Sequence, residues 1–386
     1  MWGPTLMVML ELWRRRASHL KHRLREAHQI RRCRVAIAQD IPTSAESGLG
    51  RVSVDALLNG AAAGAARSQV TTPYAGPRVH FTSPTDFVFA GSRAGVEPGM
   101  ETTSPAWSCY SYSARQRAFT VVRVPHLHAL REVPFVYEAQ RTDGTHMVSV
   151  GEEVLLSLAF PPVATVLYLF SIARCGGTLL ANLARAQGNV VLDEPDALTH
   201  LSLAAQRGTP ADTTALAATV VSSFLSAPSP LVMVKARSTS SVRPDALMRP
   251  QDVGVFLWRS PEPWFISNNR AFSFSPAVAA GALGQFVRGR NRLRSAGRLT
   301  AEFWYEDIMV DPQPFLSLLP LFDDAARRAI DDVMSRDSQE GSGLSRSALS
   351  SRPSPSPFTV EEFLECWRAQ PEYANLAEVG LERLLV

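Results

Sequence analysis

Apolar positions along this chain alternate between two patterns. Short apolar runs, rich in β-branched or aromatic residues, occur at Phe119–Val124, Val166–Phe170, Val190–Leu192, Leu231–Val234, Val253–Trp258 and Leu299–Trp304. Their length and composition predict buried strands. Between them the spacing becomes helical. Leu179, Leu180, Leu183 and Ala186 share a helix face that Gly188 closes, and helices are predicted over Asp212–Leu225, Pro261–Phe272, Ala277–Leu293, Gln313–Leu319 and Asp324–Ser335. Ser260 reads as an N-cap, with Pro261 in the first helical position. Strands alternating with helices imply an α/β fold, a mostly parallel sheet covered by helices on both faces. Val133–Tyr137 and Val148–Leu158 lead into it, and Phe358–Arg368 returns to helix with Phe363, Leu364 and Trp367 on one face.

The flanks lack this order. Ser44–Pro105 is rich in Gly, Ala, Ser, Thr and Pro without a sustained period, and Ser338–Pro357 is Ser- and Pro-rich, so both read as linker. Met1–Trp13 is apolar, but Arg14–Arg16 follow it, which is the wrong order for a signal peptide, and the run is too short to span a bilayer. Arg14–Arg34 is basic and helix-compatible, and Met100 is an alternative start. The expected organisation is a loosely ordered extension over 1–105, one α/β domain over 106–350, and a tether with a C-terminal helix over 351–386.

Composition narrows the class. The 386 residues are 46% apolar and 19% charged, as in a soluble globular protein with room for one large α/β domain. A net charge of +3 is too small to imply a nucleic-acid partner. Cys33, Cys109, Cys175 and Cys366 fit neither a disulfide framework nor a zinc spacing, which favours a reducing, cytoplasmic setting. His126 and His128 have no third ligand at a suitable spacing and read as a surface pair rather than a metal site. Lysine occurs only at Lys21 and Lys235, so a lysine at the end of a predicted strand stands out.

The candidate chemistry begins where the run Val166–Phe170 gives way to the glycine-containing loop Ser171–Gly177 and a helix start. Such a junction turns several backbone N–H groups and the positive end of the helix dipole toward an anion, so it reads as a phosphate-binding loop. Set against G-x-x-x-x-G-K-[ST], Ser171–Thr178 keeps Gly176 and Thr178 but has Gly177 in place of the lysine. An ATPase or GTPase needs that lysine on its terminal phosphates. Here Arg174 can supply positive charge from another direction. The carboxyl ends of strands are where ligands sit in such sheets, and Arg174, Lys235, Arg259 and Tyr305 all fall there.

The loop Arg174-Cys175-Gly176-Gly177-Thr178, followed some twenty positions later by an acidic residue, resembles that of the P-loop sulfotransferases that use 3′-phosphoadenosine 5′-phosphosulfate (PAPS). It is most similar to the tyrosylprotein and carbohydrate branches, whose loop reads R-S-G-T-T. The resemblance covers about Val163–Arg346 and implies a P-loop-type sheet, with Arg174–Thr178 cradling the 5′-phosphosulfate. It implies that Arg259 and Ser267, spaced as the family's R-x₇-S element, hold the 3′-phosphate, that Tyr305 in Tyr305-Glu306-Asp307 faces the adenine, and that Arg346 is a late 3′-phosphate contact. Lys235 resembles the family lysine that contacts the sulfonate, but Arg237 stands where the cytosolic K-T-H pattern has its catalytic histidine. Arginine stays protonated near neutral pH. The base implied by the tyrosylprotein branch is Glu194, with Asp193 and Asp196 close enough to take its place.

The activity so implied is metal-free, in-line transfer of a sulfonate from PAPS to a hydroxyl or amine, leaving 3′,5′-ADP. Glu194, Lys235 and Arg174 would be the catalytic residues, and the acceptor a small molecule, carbohydrate or peptide. A nucleotide-dependent phosphotransferase and a nucleotide-binding scaffold without turnover are the alternatives.

Overall fold

The computed structural model describes residues 68–72, 81–83, 86, 88–90, 106–209, 212–320, 324–337 and 358–386. The chain divides into two compact units, Met1–His126 with Glu138–Ala159, and Leu127–Tyr137 with Phe160–Val386.

Antiparallel pairing builds the first unit. Strands β1 (Ser68–Thr72), β2 (Val88–Ala90), β3 (Ala106–Ser113) and β4 (Ala118–Val124) are followed in the chain by helix α1 (Leu127–Arg131), which belongs to the second unit, then by α2 (Val136–Asp143), β5 (His146–Gly151) and helix α3 (Glu152–Ser157). The strands pair in the order β2-β1-β5-β4-β3, all antiparallel. Cys109, Tyr110, Phe119, Val121 and Val122 are fully buried. An ion-paired network fixes the segment before β2. Arg141 Nε donates to Asp86 Oδ2 at 3.1 Å and to the Tyr110 hydroxyl at 2.8 Å, and Tyr110 donates to the same Asp86 oxygen.

Ser44–Pro105 is therefore not linker throughout. Ser68–Thr72 and Val88–Ala90 are strands, and Thr82, Ser83 and Asp86 are buried. Backbone pairing and one buried carboxylate hold this stretch, and neither leaves an apolar period in the sequence. Within 106–350, residues 106–126 and 138–159 fall in the antiparallel unit and the rest in the second. The remaining expectations for the extension, including the basic stretch Arg14–Arg34 and the start at Met100, lie outside the described residues, as does the tether over Ser338–Pro357.

The second unit is the expected α/β sheet. Strand β6 (Val163–Ser171) is followed by α4 (Gly177–Ala186), β7 (Val190–Asp193), α5 (Asp196–Gln206), α6 (Thr213–Ser222) and β8 (Ser229–Lys235). Then come β9 (Val253–Trp258), α7 (Pro261–Phe272), α8 (Pro276–Ser295), β10 (Leu299–Trp304), α9 (Tyr305–Val310), α10 (Gln313–Leu316) and α11 (Asp324–Ser335). The five strands are parallel in the order β10-β9-β6-β8-β7, flanked by helices. The order places the loop strand β6 at the centre, where its residues Val166–Phe170 are fully buried. Helix α5 carries no forecast in the sequence reading, although Ala197, Leu198, Leu201 and Ala204 bury one face at helical spacing.

The C-terminal helix α12 (Val360–Arg368) belongs to this unit. A capping box between Thr359 and Glu362 starts it. Phe363 stacks on Phe265 at 4.5 Å between ring centroids, and Trp367 is fully buried with its Nε1 donating to the Leu384 carbonyl at 2.9 Å.

Candidate active site

Five parallel strands end on one edge of the second unit, and each end contributes a candidate residue. Strand β6 delivers the loop. Gly176 adopts φ 90° as the N-cap of α4, a conformation that glycine reaches without penalty, and Arg174 adopts φ 69°. A Cβ on Gly176 would lie 2.3 Å from Cδ2 of Tyr305, so the tyrosine ring rests directly on the loop backbone. A Cβ on Gly177 would meet Ser171 Oγ at 2.7 Å and Lys235 Cε at 3.3 Å. The space beside the helix start, where the P-loop pattern has its lysine, is crossed here by the side chain of Lys235 from β8. Thr178 is buried in the first turn, where amides and dipole favour an anion. Gly188 closes α4 at φ 78°, its amide donating to the Arg185 carbonyl at 2.7 Å.

Lys235 and the residues after β7 form the second cluster. Asp193 pairs with Lys235 in the sheet register, and the Glu194 amide donates to the Lys235 carbonyl at 2.8 Å. Glu194 adopts φ 55°, so the two residues expected to act at the loop mouth, Arg174 and Glu194, both hold left-handed backbone. Such conformations persist where the surroundings impose them, and they concentrate at functional sites. Lys235 Nζ lies 3.0 Å from Glu194 Oε1 and 3.4 Å from Asp193 Oδ1, with the Phe135 ring 5.3 Å away. Burial alone would lower the Lys235 pKa, but the charges of Glu194 and then Asp193 overcome it and hold the ammonium above its ordinary 10.5.

The neighbouring carboxylates are differently placed. Asp193 is fully buried, its Oδ2 paired with Arg185. Asp196 is also fully buried, 3.0 Å from Arg237 and 3.8 Å from His200. Glu194 keeps 17% of its side chain exposed, so of the three it is the one open to solvent. Arg237 is spoken for by Asp196 and lies over the Tyr137 ring at 5.2 Å.

The third cluster joins β9, α7 and β10 to the loop. Arg259 NH1 donates to the Arg174 carbonyl at 2.9 Å, and its guanidinium lies 4.8 Å from the centre of the Tyr305 ring. Arg174 Nε donates to Ser267 Oγ at 3.2 Å, and Trp264 Nε1 donates to the Ala173 carbonyl at 2.8 Å. Ser267 is thus bonded to the loop arginine, a link the R-x₇-S spacing alone does not disclose. Ser260 starts α7 without a side-chain cap; its amide donates to Glu306 Oε1 at 3.1 Å instead, and Pro261 takes the first position as expected. Burial, then the nearby charge of Arg259, lowers the Arg174 pKa. Burial also pushes the Cys175 thiol up, leaving it a packed side chain rather than a nucleophile.

Arg174, Cys175, Gly176, Gly177, Thr178, Glu194, Lys235, Arg259 and Tyr305 therefore lie at or just after the strand ends of one sheet, Ser267 on helix α7 is bonded to Arg174, and Arg346 lies outside the described residues. Sequence reasoning assigned no role to Arg185, Trp264 or Glu306; Trp264 and Glu306 reach the site through contacts distant in the chain, and Arg185 through the turn from α4 to β7. His126 and His128 are exposed, and among the described residues no three His, Cys, Asp or Glu side chains converge as for a metal. Arg259 Nε is a buried donor without a hydrogen-bond acceptor, which suits an anionic ligand beside it. No protein-family model matches the chain, and no curated protein matches it either.

Proposed function

We propose that the protein is a sulfotransferase, moving the sulfonate of PAPS to a hydroxyl or amine acceptor and leaving 3′,5′-ADP. The observation that carries this reading is the Lys235–Glu194 pair, 3.0 Å apart, set beside a phosphate-type loop whose lysine position is a glycine. The chain supplies its ammonium from the neighbouring strand and pairs it with a carboxylate, an arrangement suited to transferring a group with a proton to be removed from the attacking atom.

A donor anionic at both ends matches the two remaining clusters. Loop amides and Arg174 would take the 5′-phosphosulfate, while Arg259 with Ser267 would take the 3′-phosphate beside the Tyr305 ring. The acceptor oxygen or nitrogen forms a bond to sulfur as the bond from sulfur to the bridging phosphate oxygen breaks. Glu194 removes the acceptor proton, and the leaving phosphate carries the electron pair away. Lys235 and Arg174 offset the charge that grows on the bridging oxygen, fixed in place before the reaction begins. This distribution asks no step of a metal. The acceptor would be a small molecule, carbohydrate or peptide, since nothing in the net charge favours nucleic acid. No helix among the described residues is long and apolar enough to cross a membrane, and Cys109, Cys175 and Cys366 are free thiols, which suits a cytoplasmic setting.

Calorimetry with 3′,5′-ADP, 5′-AMP and ATP tests the reading. Tight binding of 3′,5′-ADP, weak binding of 5′-AMP and no magnesium-dependent hydrolysis of ATP are expected. Equal affinity for 3′,5′-ADP and 5′-AMP, or phosphate release from ATP with magnesium, would overturn it.

A further inference from the structure

We propose that Arg185 is a positioning residue for the Lys235–Glu194 pair: its charge occupies Asp193, leaving the Lys235 ammonium to Glu194 and to the transferring group. The inference rests on the sulfotransferase reading for its catalytic consequence, though not for its electrostatics.

Arg185, Asp193, Lys235 and Glu194 form a row of alternating charge. Asp193 has no exposed surface, and Lys235 keeps 5% of its own. A buried carboxylate must be compensated, and in a low dielectric the nearest cation is drawn to it strongly. Arg185 is that cation for Oδ2. It is fixed on every side: Nε donates to the Arg131 carbonyl at 2.7 Å, NH1 to Asn182 Oδ1 at 2.9 Å, and NH2 to the Val133 carbonyl at 3.3 Å. Lys235 stands 0.4 Å nearer to Glu194, at 3.0 Å, than to Asp193, at 3.4 Å, so its contact with Asp193 Oδ1 is the longer of the two. Without the Arg185 charge, Lys235 would be the cation left beside Asp193 and would move onto it, away from the loop.

Because the chain has two lysines, the ammonium can be watched directly. With ¹⁵N-lysine in a Lys21→Arg background, the Lys235 NH₃⁺ gives a single signal. That signal is expected to shift in Arg185→Met and to return in Arg185→Met/Asp193→Asn, where no buried carboxylate is left to capture it. Consumption of PAPS with p-nitrophenol as acceptor should fall about 10–100-fold in Arg185→Met, recover to within about 3-fold in the double variant, and stay near wild type in Arg185→Lys. Affinity for 3′,5′-ADP should change less than about 3-fold in all three, since Arg259 and the loop are untouched.

A purely structural tether to Arg131 and Val133 would leave the double variant as slow as the single one, and that result overturns the proposal. So does an unmoved Lys235 signal or a wild-type rate in Arg185→Met. If Arg185→Met does not fold, the double variant and Arg185→Lys, neither of which strands a buried charge, carry the comparison. A wild-type protein that consumes no PAPS and binds 3′,5′-ADP no better than 5′-AMP refutes the sulfotransferase reading alone, and the Lys235 signal then decides on Arg185.

Discussion

Glu194 projects from a left-handed backbone position with its carboxylate on Lys235, and the two side chains have separable tasks. Glu194→Gln keeps shape while losing the basic oxygen, so it should retain 3′,5′-ADP affinity yet slow single-turnover transfer by about 10²–10⁴-fold. A wild-type rate would move the base to the acceptor itself, because Asp193 and Asp196 are fully buried in ion pairs. Lys235→Met should slow transfer by about 10²–10³-fold through loss of charge on the leaving side. Its pH dependence has a definite sign. The folded-state pKa lies above the ordinary 10.5, so the ammonium's contribution to stability is full below that value and is lost as pH rises through the folded one. Melting temperature should therefore show no lysine-linked fall from about pH 7 to about pH 10, which a pH series of thermal scans will check. At this scale the sequence disclosed which residue types stand near the strand ends, because their spacing follows those ends. It named Glu194 with Asp193 and Asp196 as substitutes and did not show which of them an arginine holds fully buried, since that depends on Arg185 and Arg237, the latter forty-odd positions away.

Elements set how the clusters approach one another. Helix α7 is bound to the loop by Trp264 to Ala173, Ser267 to Arg174, and Arg259 at its entrance to the Arg174 carbonyl. Arg259→Ala should erase most of the preference for 3′,5′-ADP over 5′-AMP, about 1.5–3 kcal/mol for a charge-assisted hydrogen bond, measurable by calorimetry. Helix α12 braces α7 through Phe363, which packs on Trp264 and Phe265, while the buried Trp367 anchors the C-terminal segment through Tyr373 and Leu384. Trp367→Ala should cost about 3–5 kcal/mol in denaturant unfolding. The parallel sheet was legible because each strand is an apolar run and each helix has its own period; Pro261–Phe272 and Leu299–Trp304 lie where the pattern puts them. In the first unit Phe119–Val124 was legible as a strand, but Ser68–Thr72 and Val88–Ala90 were not, since they are short and their place is fixed by pairing partners scattered from 69 to 147.

On the scale of the whole molecule, the candidate residues all belong to the unit of Leu127–Tyr137 and Phe160–Val386, while Asp86 belongs to the other. A fragment starting at Met100 would remove β1, β2 and Asp86, leaving Arg141 and Tyr110 buried without their carboxylate. Breaking such a pair costs about 3–5 kcal/mol. The fragment should thus lose or lower one calorimetric transition while still binding 3′,5′-ADP; two intact transitions would mean the segment before residue 100 is dispensable to the antiparallel unit. The glycine at 177 limits what this architecture can become. In a nucleotide-hydrolysing loop the cation travels with the loop; here it is lodged in another strand, and the two arrangements claim the same volume. Gly177→Lys would set a Cβ 2.7 Å from Ser171 Oγ and 3.3 Å from Lys235 Cε, crowding a second ammonium against the first. One substitution cannot convert the loop to the lysine-bearing type, because Lys235 must leave before another can enter. A route that avoids this crowding passes through an intermediate with no lysine at the site.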